Sequence, residues 1–292
     1  MNSSCSTEDN PFKEPDKISE FVLPEFAEKA AEFLIQEGKI VAEGASLTAI
    51  NFTESGKAII EVTKGSDVYY VTYNATITED GTLIITDENG NKVGSIPNAF
   101  TRSSDNVNIT IDLTVIIGGK TYSFKATDPI AVQKIMKSLA GSNTKNTNNV
   151  ARTWKVASMN IVIEGDVEMS MLERSGNLKA FADAAIDAGA KLTDEEYKIL
   201  SKTINSVTLD KNGLFSIEYT DKGSDACTWK WTGSNQKELL LELRKSPYFG
   251  NKFIPLNSKV TVDFAQSNIA LTLKTDITGS EHYKVTLTVV LK

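Results

Sequence analysis

One histidine, His282, and two cysteines, Cys5 and Cys227, are all the imidazole and thiol this chain has for nucleophilic or metal chemistry. A hydrolytic triad would have to take His282 as its base, and no Gly-x-Ser-x-Gly elbow offers a serine. Placed at the start of the last strand pattern, His282 reads as an exposed strand-end residue. Cys227 and His282 could form a nucleophile–base pair, though nothing in their spacing requires it. Three such donors fall short of the four that a closed zinc site takes, so no metal is assigned. Glycine loops that would cradle phosphate are absent, and no cofactor is implied.

Carboxylates are the second place for chemistry. Glu164, Asp166 and Glu168 stand at i, i+2 and i+4, so a strand would put them on one face. Paired acids bind calcium or cleave glycosides, and a carboxylate-dependent hydrolase is one reading. A solvated strand end is the plainer one. Asp87-Glu88-Asn89-Gly90-Asn91 has calcium-loop composition without the later glutamate, and fits a hairpin turn. Asp194-Glu195-Glu196 follows Thr193 as a capping box, with Leu192 positioned to staple onto Tyr197.

Aromatic residues give the clearest binding signal. Cys227, Trp229 and Trp231 share one strand face and alternate with Thr228 and Lys230. That face should point inward. With Trp154 from another strand it would line a barrel able to hold an apolar ligand. The same residues would equally make a packed core, each indole needing only a partner for its N–H. Tyr69, Val71 and Tyr73 form a similar stripe in the first half.

The elements that must position these residues are mostly strands. Leu47–Phe52, Ala58–Val62, the aromatic run Val68–Tyr73 and Thr82–Ile85 make a meander separated by glycine turns. Ile109, Ile111, Leu113, Val115 and Ile117 alternate with polar residues as a half-buried strand does. A second meander repeats the order: Val207–Asp210, Leu214–Tyr219, the aromatic run Cys227–Trp231 and Glu238–Leu243. Shared ancestry and coincidence of hairpins both remain open. Eight strands are expected after residue 150, beginning at Trp154 and ending near 282–291. Joined mainly by short turns, they favour an up-and-down barrel.

Helices are expected from Pro24 through Phe26, Ala30, Phe33 and Leu34 to Gly38, and from Asp128-Pro129 through Val132, Ile135, Met136 and Leu139 to Gly141. Others follow around Leu178–Ile186 and 193–204. The fold class is therefore mainly β with helical inserts: two tandem antiparallel β-meander domains, the second an eight-stranded barrel. Residues 1–19 read as a tail, 20–141 as the first domain, the polar run 142–149 as a linker and 150–292 as the second domain.

Composition narrows the functional classes. The apolar share of 40% suits a folded chain. A net charge of −7 with scattered lysines argues against nucleic acid. Apolar runs are strand-sized, far below the ~20 residues of a membrane-spanning helix. Two cysteines make no disulfide framework.

Thr153-Trp154-Lys155 on a first strand, a helical insert, and a meander through Trp229-Lys230-Trp231 resemble the lipocalin-like domains of bacterial surface lipoproteins of unknown function, over residues 150–292. Arg152 stands where that family usually carries glycine. Cys5, followed by Ser6-Thr7-Glu8-Asp9-Asn10, resembles the mature start of outer-surface lipoproteins of Gram-negative gut bacteria, which implies a lipidated Cys5 and anchoring at the outer membrane. The expectation is a non-catalytic cell-envelope protein. It would bind a small apolar ligand at Trp154, Cys227, Trp229 and Trp231, or an envelope partner at its surface. A structural module with a packed barrel is the alternative.

Overall fold

The computed structural model describes residues 31–53, 56–100, 106–117, 119–136, 144–165, 168–211, 213–221, 223–243, 257–278 and 282–292. In the first half, nine strands follow one another: β1 Ala31–Leu34, β2 Val41–Ala42, β3 Ala45–Phe52, β4 Lys57–Lys64, β5 Asp67–Ile77, β6 Leu83–Thr86, β7 Lys92–Ile96, β8 Asn106–Ile117 and β9 Lys120–Met136. From β3 to β9 each pairs antiparallel with the next. β1 then pairs with β3 on one side and β9 on the other. Eight strands thus close into an antiparallel barrel, with β2 added along β3. Closure removes the free edges that a sheet of alternating apolar residues would otherwise expose.

Two expected helices are strands. Ala31–Leu34, placed within the Pro24 helix, pairs with Met136–Gln133 instead, and its Glu32–Leu34 also with Asn51–Ala49. Phe33 enters the barrel core, edge-on to Phe52 with ring centroids 5.5 Å apart. Residues 24–30 of that expected helix lie outside the described residues. The Asp128-Pro129 helix is replaced by the continuation of β9 to Met136, residues 137–141 lying outside the described residues. Ile109 faces Ile130 and Ile111 faces Ala126, so residues 127–129 form a bulge. A bulge accepts a proline that has no N–H to give a ladder. Tyr122, Phe124, Ala126 and Val132 carry the inward alternation that prevails over the helical spacing of Val132, Ile135 and Met136.

The second half contains α1 Lys145–Val150, β10 Arg152–Trp154, β11 Val156–Gly165, β12 Met169–Glu173, α2 Lys179–Asp187, α3 Asp194–Ser201, β13 Ile204–Leu209, β14 Leu214–Tyr219, β15 Gly223–Trp231, β16 Glu238–Leu243, β17 Asn257–Phe264, β18 Ile269–Thr278 and β19 His282–Leu291. Helix α1 occupies the end of the polar run. β13 to β19 pair in sequence as a meander. The segment 152–165 returns the meander on itself: β10 pairs with β13 and β11 with β19. Strand β12, which sequence periodicity did not reveal, extends this sheet as a hairpin on β11.

The halves meet at one seam. β5 pairs with the start of β15, Tyr70 opposite Ser224 and Val71 opposite Gly223. Ile59, Val68 and Tyr70 pack on Leu214 and Ala226. The Thr72 and Ser224 hydroxyls hydrogen-bond across the seam. Glu61, buried beside it, accepts from Tyr70 Oη at 3.1 Å and from Thr48 Oγ1 at 2.9 Å. Removing Tyr70 empties an aromatic site and takes a donor from a buried carboxylate. Tyr70→Ala should lower unfolding stability by about 3–5 kcal/mol, measured by urea denaturation. Exposed Thr76→Ala on the same strand should stay within about 0.5 kcal/mol.

Candidate functional site

Register assigns one face of the second meander to its interior. Descending β15, that face carries Asp225, Cys227, Trp229 and Trp231; ascending β14, it carries Phe215, Ile217 and Tyr219, with Ile217 opposite Asp225. The three tryptophans and Cys227 singled out in the sequence do converge here. Trp154, Cys227 and Trp229 belong to one apolar cluster, and Trp231 packs against it.

Its floor is closed by α1. Thr144 caps this helix by accepting from Thr147 N, and donates to Gln236 Oε1 at 2.7 Å. Asn146 Nδ2 donates to the Gln236 carbonyl at 3.2 Å. Every indole N–H has a protein acceptor: Trp154 gives to Val150 O at 2.9 Å, Trp229 to Asp210 O at 2.9 Å and Trp231 to Thr147 Oγ1 at 3.0 Å. The Trp229 and Trp231 rings meet edge to face at 5.7 Å. The Arg152 guanidinium lies 4.7 Å above the Trp154 ring. The indoles are thus oriented by fixed hydrogen bonds, and those of Trp154 and Trp229 are almost fully buried.

Above the floor the lining changes. Cys227 is buried, and burial together with the charge of Asp225 pushes its thiol well above the ordinary range. That opposes thiolate formation and a nucleophilic role. Asp225, 1% exposed, accepts from Tyr219 Oη at 2.9 Å. Lys202 Nζ lies 4.9 Å over the Tyr219 ring and 2.9 Å from Asp221. Burial pulls the Asp221 carboxyl upward, but bonds from Lys202 and the Gly223 N–H outweigh it, leaving its pKa below the usual value. Asp225 was missed in the sequence, although it continues the stripe of Cys227, Trp229 and Trp231 recognised there; Tyr219 was placed on a strand but given no role.

A helical insert covers the same end. Phe181 of α2 joins Ile161 and Val285 in a second cluster with Ile163, Met169, Met171, Leu178 and Leu287. Asp183 links the two helices, accepting from Tyr197 Oη at 2.7 Å and Lys179 Nζ at 2.7 Å. The capping box expected at Thr193 and Glu196 is present. Val285 and Leu287 lie on the same face of β19 as Val289 and Leu291, which belong with the floor cluster. The apolar lining is therefore split into a lower and an upper cluster. Where they approach, Leu273, Leu287 and Val289 are only half-buried. The first barrel has one contiguous core, with Tyr69, Val71 and Tyr73 packed against it.

The remaining sequence candidates do not gather. Glu164 stands one residue before the end of β11, opposite Lys284, Glu168 precedes β12, and both are exposed. Asp166 lies outside the described residues, as does Cys5. His282 pairs with Thr278 at the start of β19. Asp87 Oδ1 accepts from the N–H groups of Asn89 and Asn91 at 2.9 and 2.8 Å, and Gly90 takes φ +81°, which makes this segment a hairpin turn. Among the described residues no group of three His, Cys, Asp or Glu could hold a metal, and no helix is long and apolar enough to cross a membrane.

No family model and no curated protein matches the chain. The solved structures similar over most of their length include the following two. One is a protein of unknown function from the DUF3598 family of Nostoc punctiforme, 9% identical, covering 90% of this chain and 93% of that one, with a TM-score of 0.25. The other is a porin-like protein from Bacteroides uniformis, 10% identical, covering 91% and 96%, with a TM-score of 0.19. Neither likeness bears on activity.

The thiol environment gives a direct check. Each unit by which a thiol pKa rises cuts its thiolate fraction about tenfold near neutral pH. At pH 8 the Cys227 peptide of the folded chain should be alkylated on the order of 100-fold more slowly than in urea, read by mass spectrometry. Equal rates would place the thiol in water.

Proposed function

We propose that this chain is a non-catalytic cell-envelope protein of two tandem β domains, whose second, lipocalin-like domain binds a small apolar molecule inside its barrel. The observation that carries the reading is the split interior: a tryptophan floor, a Phe181 cap and half-buried aliphatic residues between them. An apolar compartment with few polar groups is the usual form of a small-molecule site. Indoles whose N–H groups are already bonded suit a ligand held by contact and burial. Binding of this kind gains roughly 25 cal/mol per Å² of apolar surface removed from water.

The envelope location rests on Cys5 and the acidic residues behind it. Lipid on Cys5 would require more than one acyl chain for stable anchoring, because a single chain binds a bilayer only marginally. The first domain serves in this reading as a rigid support, joined to the second through β5 and β15.

Native mass spectrometry of protein purified from its own source should find a co-purifying apolar molecule, and added lipophiles should change tryptophan emission. Val289→Phe places bulk between the two clusters. It should weaken lipophile binding about tenfold, corresponding to ~1.4 kcal/mol, while leaving the thermal midpoint unchanged or higher. No co-purifying molecule, together with unchanged emission across a lipophile panel, would refute the reading.

A further inference from the structure

Strand β12 leaves one edge of the second sheet open. It pairs with β11 along one side, from Glu173 opposite Met159 to Met169 opposite Ile163. No other described strand pairs with it, and among the described residues no backbone hydrogen bond reaches its far side. Neither a proline nor a bulge interrupts it. Such devices commonly blunt an edge, because a row of unpaired N–H and C=O groups recruits another strand.

The side chains of this edge are complementary to themselves. Met169 and Met171 turn inward and pack in the cluster that holds Phe181. Ser170 and Leu172 alternate with them on the outer face and are exposed, Leu172 at 50%. Glu168 and Arg174 stand immediately before and after the strand, both exposed. A second copy laid antiparallel, with Met171 opposite Met171, sets each Glu168 opposite an Arg174. It also sets each Ser170 opposite a Leu172, which brings the two leucines into diagonal reach across the outer face. Opposite residues of an antiparallel pair share a face, so the methionines stay inward in both copies. This is the self-matching pattern that a two-fold interface requires, residue i meeting j and j meeting i.

We propose that β12 is a dimerisation edge, and that its partner is β12 of a second copy of this chain, paired about a two-fold axis at Met171. The sheet β19-β11-β12 then continues into the same three strands of the partner in reverse order. Strand addition of this kind takes its affinity from main-chain hydrogen bonds and its register from side chains. Two Glu168–Arg174 pairs fix the register here. A five-residue ladder is small beside a standard interface, so the dimer is weak, with a Kd on the order of 10–100 µM. The edge lies on the outside of the sheet, and the proposal does not depend on a ligand within it.

Sedimentation velocity on the full chain tests it. The unaltered protein should pass from monomer to dimer as its concentration rises through that range. Glu168→Arg and Arg174→Glu should each weaken the dimer about tenfold or more, because the two-fold axis repeats every like-charge contact. An equimolar mixture of the two variants should recover the dimer, since one copy then carries two bases at the edge and the other two acids. A monomer throughout, or a dimer that neither reversal weakens, would overturn the proposal. Should a reversed variant fail to fold, Met171→Cys on a Cys5→Ser background decides. Mild oxidation should link it into covalent dimers, because residues directly opposite in a strand pair lie within disulfide reach. Folded protein that forms no such link would equally overturn it.

Discussion

The segment 152–165 hydrogen-bonds in two directions, and the second half of the molecule depends on that double pairing. Its first three residues complete one ladder with β13, and its remainder completes another with β19. Between them, Lys155 and Lys292 exchange both backbone hydrogen bonds at 2.9 Å. The switch falls between Trp154 and Lys155, and a bulge at Val156–Ser158 follows within the β19 ladder. A meander joined in this way has an inside, where Trp154, Cys227 and Trp229 are buried. Without that join, the stripe from Asp225 to Trp231 would be one side of an open sheet.

The two halves enclose differently arranged interiors. The first barrel encloses a contiguous apolar cluster from Phe33 to Val132. The second encloses a lower cluster on α1 and an upper one against α2, with half-buried side chains where they approach. Tertiary insertions account for this difference. Helix α1 turns its Thr147 and Val150 onto the tryptophans, and Phe181 reaches the far end from an insert that the first half lacks among its described residues. The seam at β5 and β15 joins the first half to the second, next to the loop that holds Asp221 and Gly223.

Much of this was legible in the sequence where a strand has one wet face. Alternation located β8, β13 to β19 and the inward set Cys227, Trp229 and Trp231 to within a few residues. It failed where two periodicities overlap. Val132, Ile135 and Met136 satisfy a helical stripe, yet long-range pairing with β8 and β1 makes them strand. Asp225 was overlooked because a charged residue does not look interior, although its spacing from Cys227 places it there. The role of α1 was hidden by composition: Lys145–Val150 contains little apolar surface, and its contribution is a set of hydrogen bonds to Gln236, Trp231 and Trp154. Partners that lie about 90 residues apart, as Asn146 and Gln236 do, leave no local signature.

The central claim is that apolar space remains between the tryptophan floor and the Phe181 cap. Xenon-pressurised crystals of delipidated protein measure this directly, because the gas settles in dry apolar cavities. The account predicts a xenon atom near Leu273, Leu287 and Val289. Side chains from the two clusters in contact there, with no xenon bound, would contradict it.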